Sequence, residues 1–110
     1  CIMPRFGVIN ERRHRLHEVV RLSGINVSVD NDDFPLQIKV ASLPNARLQV
    51  YFLDNEDLFK RKTIFADESE KWYEDNGLRT VFFCKGALET VKKFGWPPDI
   101  IHCSGWMTGL

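Results

Sequence analysis

The three cysteines (Cys1, Cys84, Cys103) and three histidines (His14, His17, His102) are the side chains best suited to metal or nucleophilic chemistry. Their spacing supports neither. An odd number of cysteines with no short pairing reads as free thiols in a reducing compartment, which places the protein in the cytoplasm. His102 and Cys103 adjoin on an expected strand and would point to opposite faces, so no metal site is expected. A second group, Glu11-Arg12-Arg13-His14-Arg15, gathers three guanidiniums. Its first reading is a solvated face and its second a phosphate site, because guanidinium matches phosphate oxygens two at a time. The third group is Ser104-Gly105-Trp106-Met107-Thr108-Gly109. At a strand-to-helix turn, Ser104 and Gly105 would bring a close backbone and unpaired N–H groups to an oxyanion or hydroxyl ligand. Ordinary packing around Trp106 is the rival reading. There is no Gly-x-Gly-x-x-Gly run and no Walker-type loop, so glycine motifs argue for no nucleotide.

These groups must be positioned by strands and helices whose periods are legible. Residues 1–16 read as irregular, punctuated by Pro4 and Gly7. Ile25, Val27 and Val29 alternate with polar residues; so do Leu36, Ile38 and Val40, and then Leu48, Val50 and Phe52. Alternation of this kind marks strands with one buried face. The short breaks Asn31–Asp33 and Pro44-Asn45-Ala46 make them a β-meander. A short helix is expected around Glu56–Phe59, inside a long polar loop. The main helix should run from Asp75 or Asn76 to Phe94, burying Leu78, Val81, Leu88 and Val91 with Phe82 and Cys84 beside them. Asp75 fits its N-cap, Lys92 and Lys93 its negative end, and Gly95 with Pro97-Pro98 its stop. Asp99–Cys103 then reads as a buried strand, closing a βαβ unit.

The chain holds 110 residues, 44% hydrophobic and 27% charged, enough for one domain spanning residues 1–110. Area scaling leaves about 6,300 Å² exposed on folding, which permits a core without metal or disulfides. Fifteen basic and fifteen acidic residues cancel. No basic excess points to nucleic acid, and no apolar run approaches the ~20 residues of a membrane helix. Both ends read as interior positions of a longer protein, the last a helix that has scarcely begun.

Asp99-Ile-Ile-His-Cys-Ser-Gly-Trp-Met-Thr-Gly-Leu110 resembles a motif of bacterial glycogen synthases and plant starch synthases. There the pattern is Asp-hydrophobic-hydrophobic-His-x-His-Asp-Trp-His-Thr/Ala-Ala/Gly-Leu. Met3-Pro4-Arg5-Phe6-Gly7 is similar to the family's Pro-Arg-Tyr segment. Val50-Tyr51-Phe52-Leu53-Asp54-Asn55 with Leu58-Phe59 resembles its Val-Tyr-Phe-Ile-Asp strand and turn. Tyr73-Glu74-Asp75-Asn76-Gly77-Leu78-Arg79 is similar to Tyr-x-Asp-Asn-x-x-Arg at the start of a long helix. The four stand in order over nearly the whole chain.

The resemblance implies an interior piece of the N-terminal, Rossmann-like, three-layer α/β domain of a two-domain (GT-B) glycosyltransferase, with a β-meander and a βαβ unit. It implies a retaining transfer of glucose from a nucleotide sugar, ADP-glucose, to an α-1,4-glucan, with no cofactor. The C-terminal domain would follow Leu110. Asp75, Asn76 and Arg79 would bind substrate at the cleft edge, and Ser104 stands where the family has a histidine near the donor glucose. His102 and Trp106 would be structural members of the motif. Ser104, Gly105 and Met107 depart from the pattern. A serine is too short to reach where an imidazole would. The chain's function is therefore read as part of such an enzyme, with a non-catalytic glucan-binding or regulatory module as the alternative.

Overall fold

The computed structural model describes residues 1–19, 25–29, 31–42, 48–94 and 98–108. The strands are β1 (Ile2–Pro4), β2 (His17–Glu18), β3 (Ile25–Val29), β4 (Asp32–Ser42) and β5 (Gln49–Asp54). The helices are α1 (Glu56–Phe59), α2 (Asn76–Phe94) and a single 3-10 turn, Trp106–Thr108. The meander forms as the alternation requires: β3 and β5 both run antiparallel to β4. β4 begins earlier than the hydrophobic pattern suggests, because the break is confined to a tight turn at Asn31, whose φ of 69° suits a small polar residue. The second expected turn, Pro44-Asn45-Ala46, lies outside the described residues, as do Gly95 and Pro97 at the expected end of the long helix.

Residues 1–16 are less irregular than expected. β1 pairs parallel with β5, Ile2 opposite Tyr51 and Pro4 opposite Leu53. The path across the sheet is β1-β5-β4-β2, with β3 attached to β4. Both missed strands are too short to show a period of two.

The expected βαβ unit is not formed among the described residues. Residues 98–105 take no strand, and Ile100 and Ile101 are 83% and 62% exposed. A parallel strand is held by a neighbour's hydrogen bonds and by cover on both faces. This segment has neither, so its apolar character alone does not make it a strand. The expected three layers are likewise reduced: α2 covers one face of the sheet, and the segment 5–16 covers the other. The chain exposes 7787 Å², well above the roughly 6,300 Å² of a complete domain of this mass.

The two faces have separate cores. Leu36, Ile38 and Leu53 meet Phe82 and Phe83 of α2, with Ile25, Val27 and Val29 of β3. Ala41, Val50 and Phe52 turn the other way, onto Met3, Ile9 and Leu16. The buried stripe of α2 is rotated from the hydrophobic one. Arg79, Phe82, Phe83, Gly86 and Thr90 face inward, while Leu88 is half exposed. Gly86 lets the helix approach the sheet, since a Cβ there would lie 3.3 Å from Leu36 Cδ2 and 3.4 Å from Leu53 Cδ1. Thr80 and Thr90 hide their hydroxyls by donating to the carbonyls of Asn76 and Gly86 one turn back, at 2.8 and 2.7 Å.

Gly7 joins the first core to the loop after α1. Its N–H donates to Phe59 O at 2.8 Å, and a Cβ would come 2.1 Å from Arg61 O. The obstacle is backbone, so Gly7→Ala must displace a chain. It is expected to lower stability by about 2 kcal/mol or more, read as a drop in the chemical-denaturation midpoint at unchanged slope.

Candidate functional site

α1 starts at Asn55, whose Oδ1 accepts from the N–H groups of Asp57 and Leu58 at 3.0 and 3.2 Å. Asn55 Nδ2 donates to Pro35 O at 2.9 Å, fixing this cap to β4. From here the loop runs to Arg61 and returns to the start of α2 at Tyr73 and Asp75. Arg61 grips Asp75 with both nitrogens, Nη1 to Oδ1 at 2.7 Å and Nη2 to Oδ2 at 2.5 Å. Its plane lies 4.5 Å over the Tyr73 ring, and Nη2 also donates to Asp57 O at 3.0 Å. The paired Arg61 guanidinium holds the Asp75 carboxyl below its usual range, against partial burial that pushes the other way. The Asp75 backbone carbonyl accepts from Arg79 N at 2.9 Å, so the residue does stand at the head of α2. Its carboxylate, however, is turned to Arg61.

Asn76 and Arg79 sit behind this pair. Arg79 is fully buried, not at an open cleft edge. Its guanidinium faces the rings of Phe6, Phe59 and Tyr73 at 5.9, 5.4 and 5.4 Å. Nη1 donates to Asn76 Oδ1 at 2.7 Å, and Asn76 Nδ2 donates to Phe65 O at 2.8 Å. Nε and Nη2 are buried without a hydrogen-bond partner. Burial lowers the Arg79 pKa, the Arg61 charge adds to that, and Asp75 opposes both. One carboxylate thus serves two guanidiniums.

The structure therefore brings Asp75, Asn76 and Arg79 into one group with Tyr73 of the same motif, and adds Arg61, which the sequence pattern did not single out. Ser104 is exposed in the coil before the 3-10 turn, and no hydrogen bond joins it to the Asp75 group among the described residues. His102 is also exposed, against the structural role expected of it: without the strand there is no interior for its ring. The Trp106 side chain lies outside what is described. The turn is tied to α2 through Met107, which is buried and whose carbonyl accepts from Cys84 Sγ at 3.1 Å.

A further polar network lies on the other face, at the carboxyl ends of the parallel strands β1 and β5. Lys39 Nζ bonds Glu11 and, at 2.9 Å, Asp54 Oδ2; Arg5 Nε stands 3.5 Å from Glu11. Burial pulls the Lys39 pKa down, but the bonds to Glu11 and Asp54 outweigh it and the pKa is raised. Asp54 Oδ1 and Arg5 Nε are buried without a hydrogen bond. Partners 15 and 28 residues apart leave no local pattern to read. The only signal was position, since open α/β sheets bind ligands beyond the carboxyl ends of their strands. Among the described residues, no three His, Cys, Asp or Glu side chains gather as a metal would need. No helix there is long and apolar enough to cross a membrane.

The whole chain, residues 1–110, matches the family of starch synthase catalytic domains. It is 46% identical over 110 residues to a glycogen synthase of Chlorobaculum tepidum and 44% identical over the same length to one of Chlorobium limicola. Each match covers 99% of this chain and 22% of the relative, so the chain spans about a fifth of the length of these relatives. No solved structure matches it.

Two outcomes follow from the site's charges. The lowered Asp75 pKa makes its pairing fully stabilising above its ordinary value near 3.8 and progressively lost as pH falls through the lowered folded value. Asp75→Asn should thus cost about 1 kcal/mol at pH 7, a figure kept small because the pair is part-exposed. In thermal melts the gap to wild type should narrow steadily below about pH 4. At Arg79, Arg79→Met keeps the volume and removes an under-bonded buried charge, so it should stay within about 1 kcal/mol of wild type. Arg79→Ala leaves a hole among three rings and should cost about 2–4 kcal/mol by denaturant titration.

Proposed function

Since the chain belongs to the starch synthase catalytic-domain family, we propose that the protein carrying it is a retaining glucosyltransferase acting on a nucleotide sugar, ADP-glucose, and an α-1,4-glucan acceptor. The observation that carries this reading is identity near 45% along 99% of the chain to proteins named glycogen synthase. We place its action in the cytoplasm, with the rest of the active site contributed by the remaining parts of the protein.

Transfer with retention needs charge stabilised on the leaving diphosphate and a glucosyl group held against an acceptor hydroxyl. In this proposal Asp75, the half-exposed member of its group, accepts hydrogen bonds from sugar hydroxyls with the lone pairs that Arg61 leaves free. Bidentate contact with Arg61 fixes the carboxylate plane, so its acceptor directions are set before substrate arrives. Asn76 and Arg79 position it from behind: Arg79 accounts for the buried end of α2, and Asn76 ties Arg79 to the loop at Phe65. Ser104, which is exposed, contributes a single hydroxyl on the donor side.

The alternative, a glucan-binding or regulatory module without catalysis, is favoured by one feature: Ser104 and Gly105 stand where the family has histidine and aspartate. The two readings separate in one experiment on the full-length protein, measuring incorporation of labelled glucose from ADP-glucose into glycogen alongside retention on immobilised glycogen. Incorporation supports the enzyme; retention without incorporation supports the module. If the enzyme reading holds, Ser104→His should preserve or raise kcat/KM by up to about tenfold, because an imidazole restores reach at an exposed position with room for it. A loss of activity with unchanged stability would remove Ser104 from the donor side.

A further inference from the structure

The basic cluster at 11–15 plays no part in the proposed transfer, and the fold gives it a place. Asn10 closes the turn by accepting from Arg12 N and Arg13 N at 3.1 and 3.0 Å, while His14 N donates to Asn10 O at 3.2 Å. Arg15 then takes a φ of 53°, a left-handed conformation that an unbranched non-glycine residue adopts only when its surroundings hold it there. Here they do. Leu16 N donates to Glu11 O at 3.0 Å, and the Leu16 side chain packs on the core of Ala41, Val50 and Phe52. The turn delivers Arg13, His14 and Arg15, with His17 of β2, around a cavity of about 620 Å³ whose remaining wall is Ala41, Ser42, Val50 and Phe52. Arg12 is left outside it.

The lining contains four basic side chains, one hydroxyl and no acid. The nearby Glu11 carboxylate does not neutralise it, being engaged by Lys39 and Arg5. The floor is apolar and the volume falls within the range of small-molecule sites. A bare inorganic anion would fill a small part of it. The cavity is also separate from the expected donor position. It opens on the face away from α2 and against Val50 and Phe52, toward the amino end of β5, whereas Asp54 and Arg5 mark the carboxyl ends.

We propose that this cavity binds a phosphate monoester with a compact organic body, the phosphate on the Arg13 and Arg15 guanidiniums and the body against Ala41, Val50 and Phe52. Two guanidiniums on the rim supply paired, charge-assisted hydrogen bonds. Ser42 supplies a neutral donor or acceptor for a hydroxyl of the body.

The test uses the full-length protein and isothermal titration calorimetry with glucose 1-phosphate, inorganic phosphate and glucose as separate probes. Glucose 1-phosphate is expected to bind tightest, and the double substitution Arg13→Ala with Arg15→Ala should weaken it about tenfold or more. Both arginines are exposed, so melting temperature should be unchanged, and the KM for ADP-glucose should not move. Three results overturn the proposal: no binding of glucose 1-phosphate, binding no tighter than inorganic phosphate, or binding unaffected by the double substitution. The transferase assay is independent of this one. Absence of glucose transfer with intact Arg-dependent binding would sink the functional reading and leave the cavity assignment standing.

Discussion

One carboxylate balancing two guanidiniums is the constraint around which the α2 face is built. Arg79 enters the helix in its first turn, where the macrodipole already presents positive charge, and it is buried as well. Both conditions disfavour a cation. The fold answers with diffuse partners: three ring faces, one amide oxygen and the nearby Asp75 carboxylate. Asp75 can serve in this way only while Arg61 holds it in place. Arg61 in turn is located by the contact of its backbone with Gly7, so the loop after β1, the loop after α1 and the head of α2 are fixed together. In the role proposed for it, the Asp75 carboxylate would gain from this arrangement, because its orientation is set by the same contacts that stabilise the fold.

What could be read from the sequence followed from what leaves a periodic trace. The meander and the main helix are repeated patterns several residues long; β3, β5 and the start of α2 lie where the patterns put them, and β4 differs in starting earlier, at Asp32. The face that α2 buries was misjudged for a physical reason. Arg79, Gly86 and Thr90 point inward, and none of them scores as hydrophobic; their burial depends on ring faces, a missing side chain and a back-bonded hydroxyl. Leu88, which does score, is half exposed, because nothing among the described residues covers it.

The expected strand at 99–103 shows the opposite limit. Its composition suits a buried strand, but a strand is a property of a pair, and no partner is present among the described residues. The candidate site divides in the same way. Asp75, Asn76 and Arg79 are close in sequence and were marked by their resemblance to a family pattern. Arg61 lies 14 residues before Asp75, and Lys39 reaches Glu11 across 28. Partnerships over such separations are made by the fold, with no trace in local spacing.

The far face of the sheet carries the same physics in a different form. Lys39 stands between Glu11 and Asp54 and fastens the segment 5–16 over a small apolar core. That fastening has two consequences. It occupies the one acid in the basic turn, so that among the described residues Arg13 and Arg15 form no ion pair beside the cavity. It also leaves Asp54 Oδ1 and Arg5 Nε buried and unbonded at the carboxyl ends of β1 and β5. Unbonded buried polar atoms cost free energy that a well-packed isolated fold avoids. Here they lie at the end of the sheet where α/β domains meet their ligands.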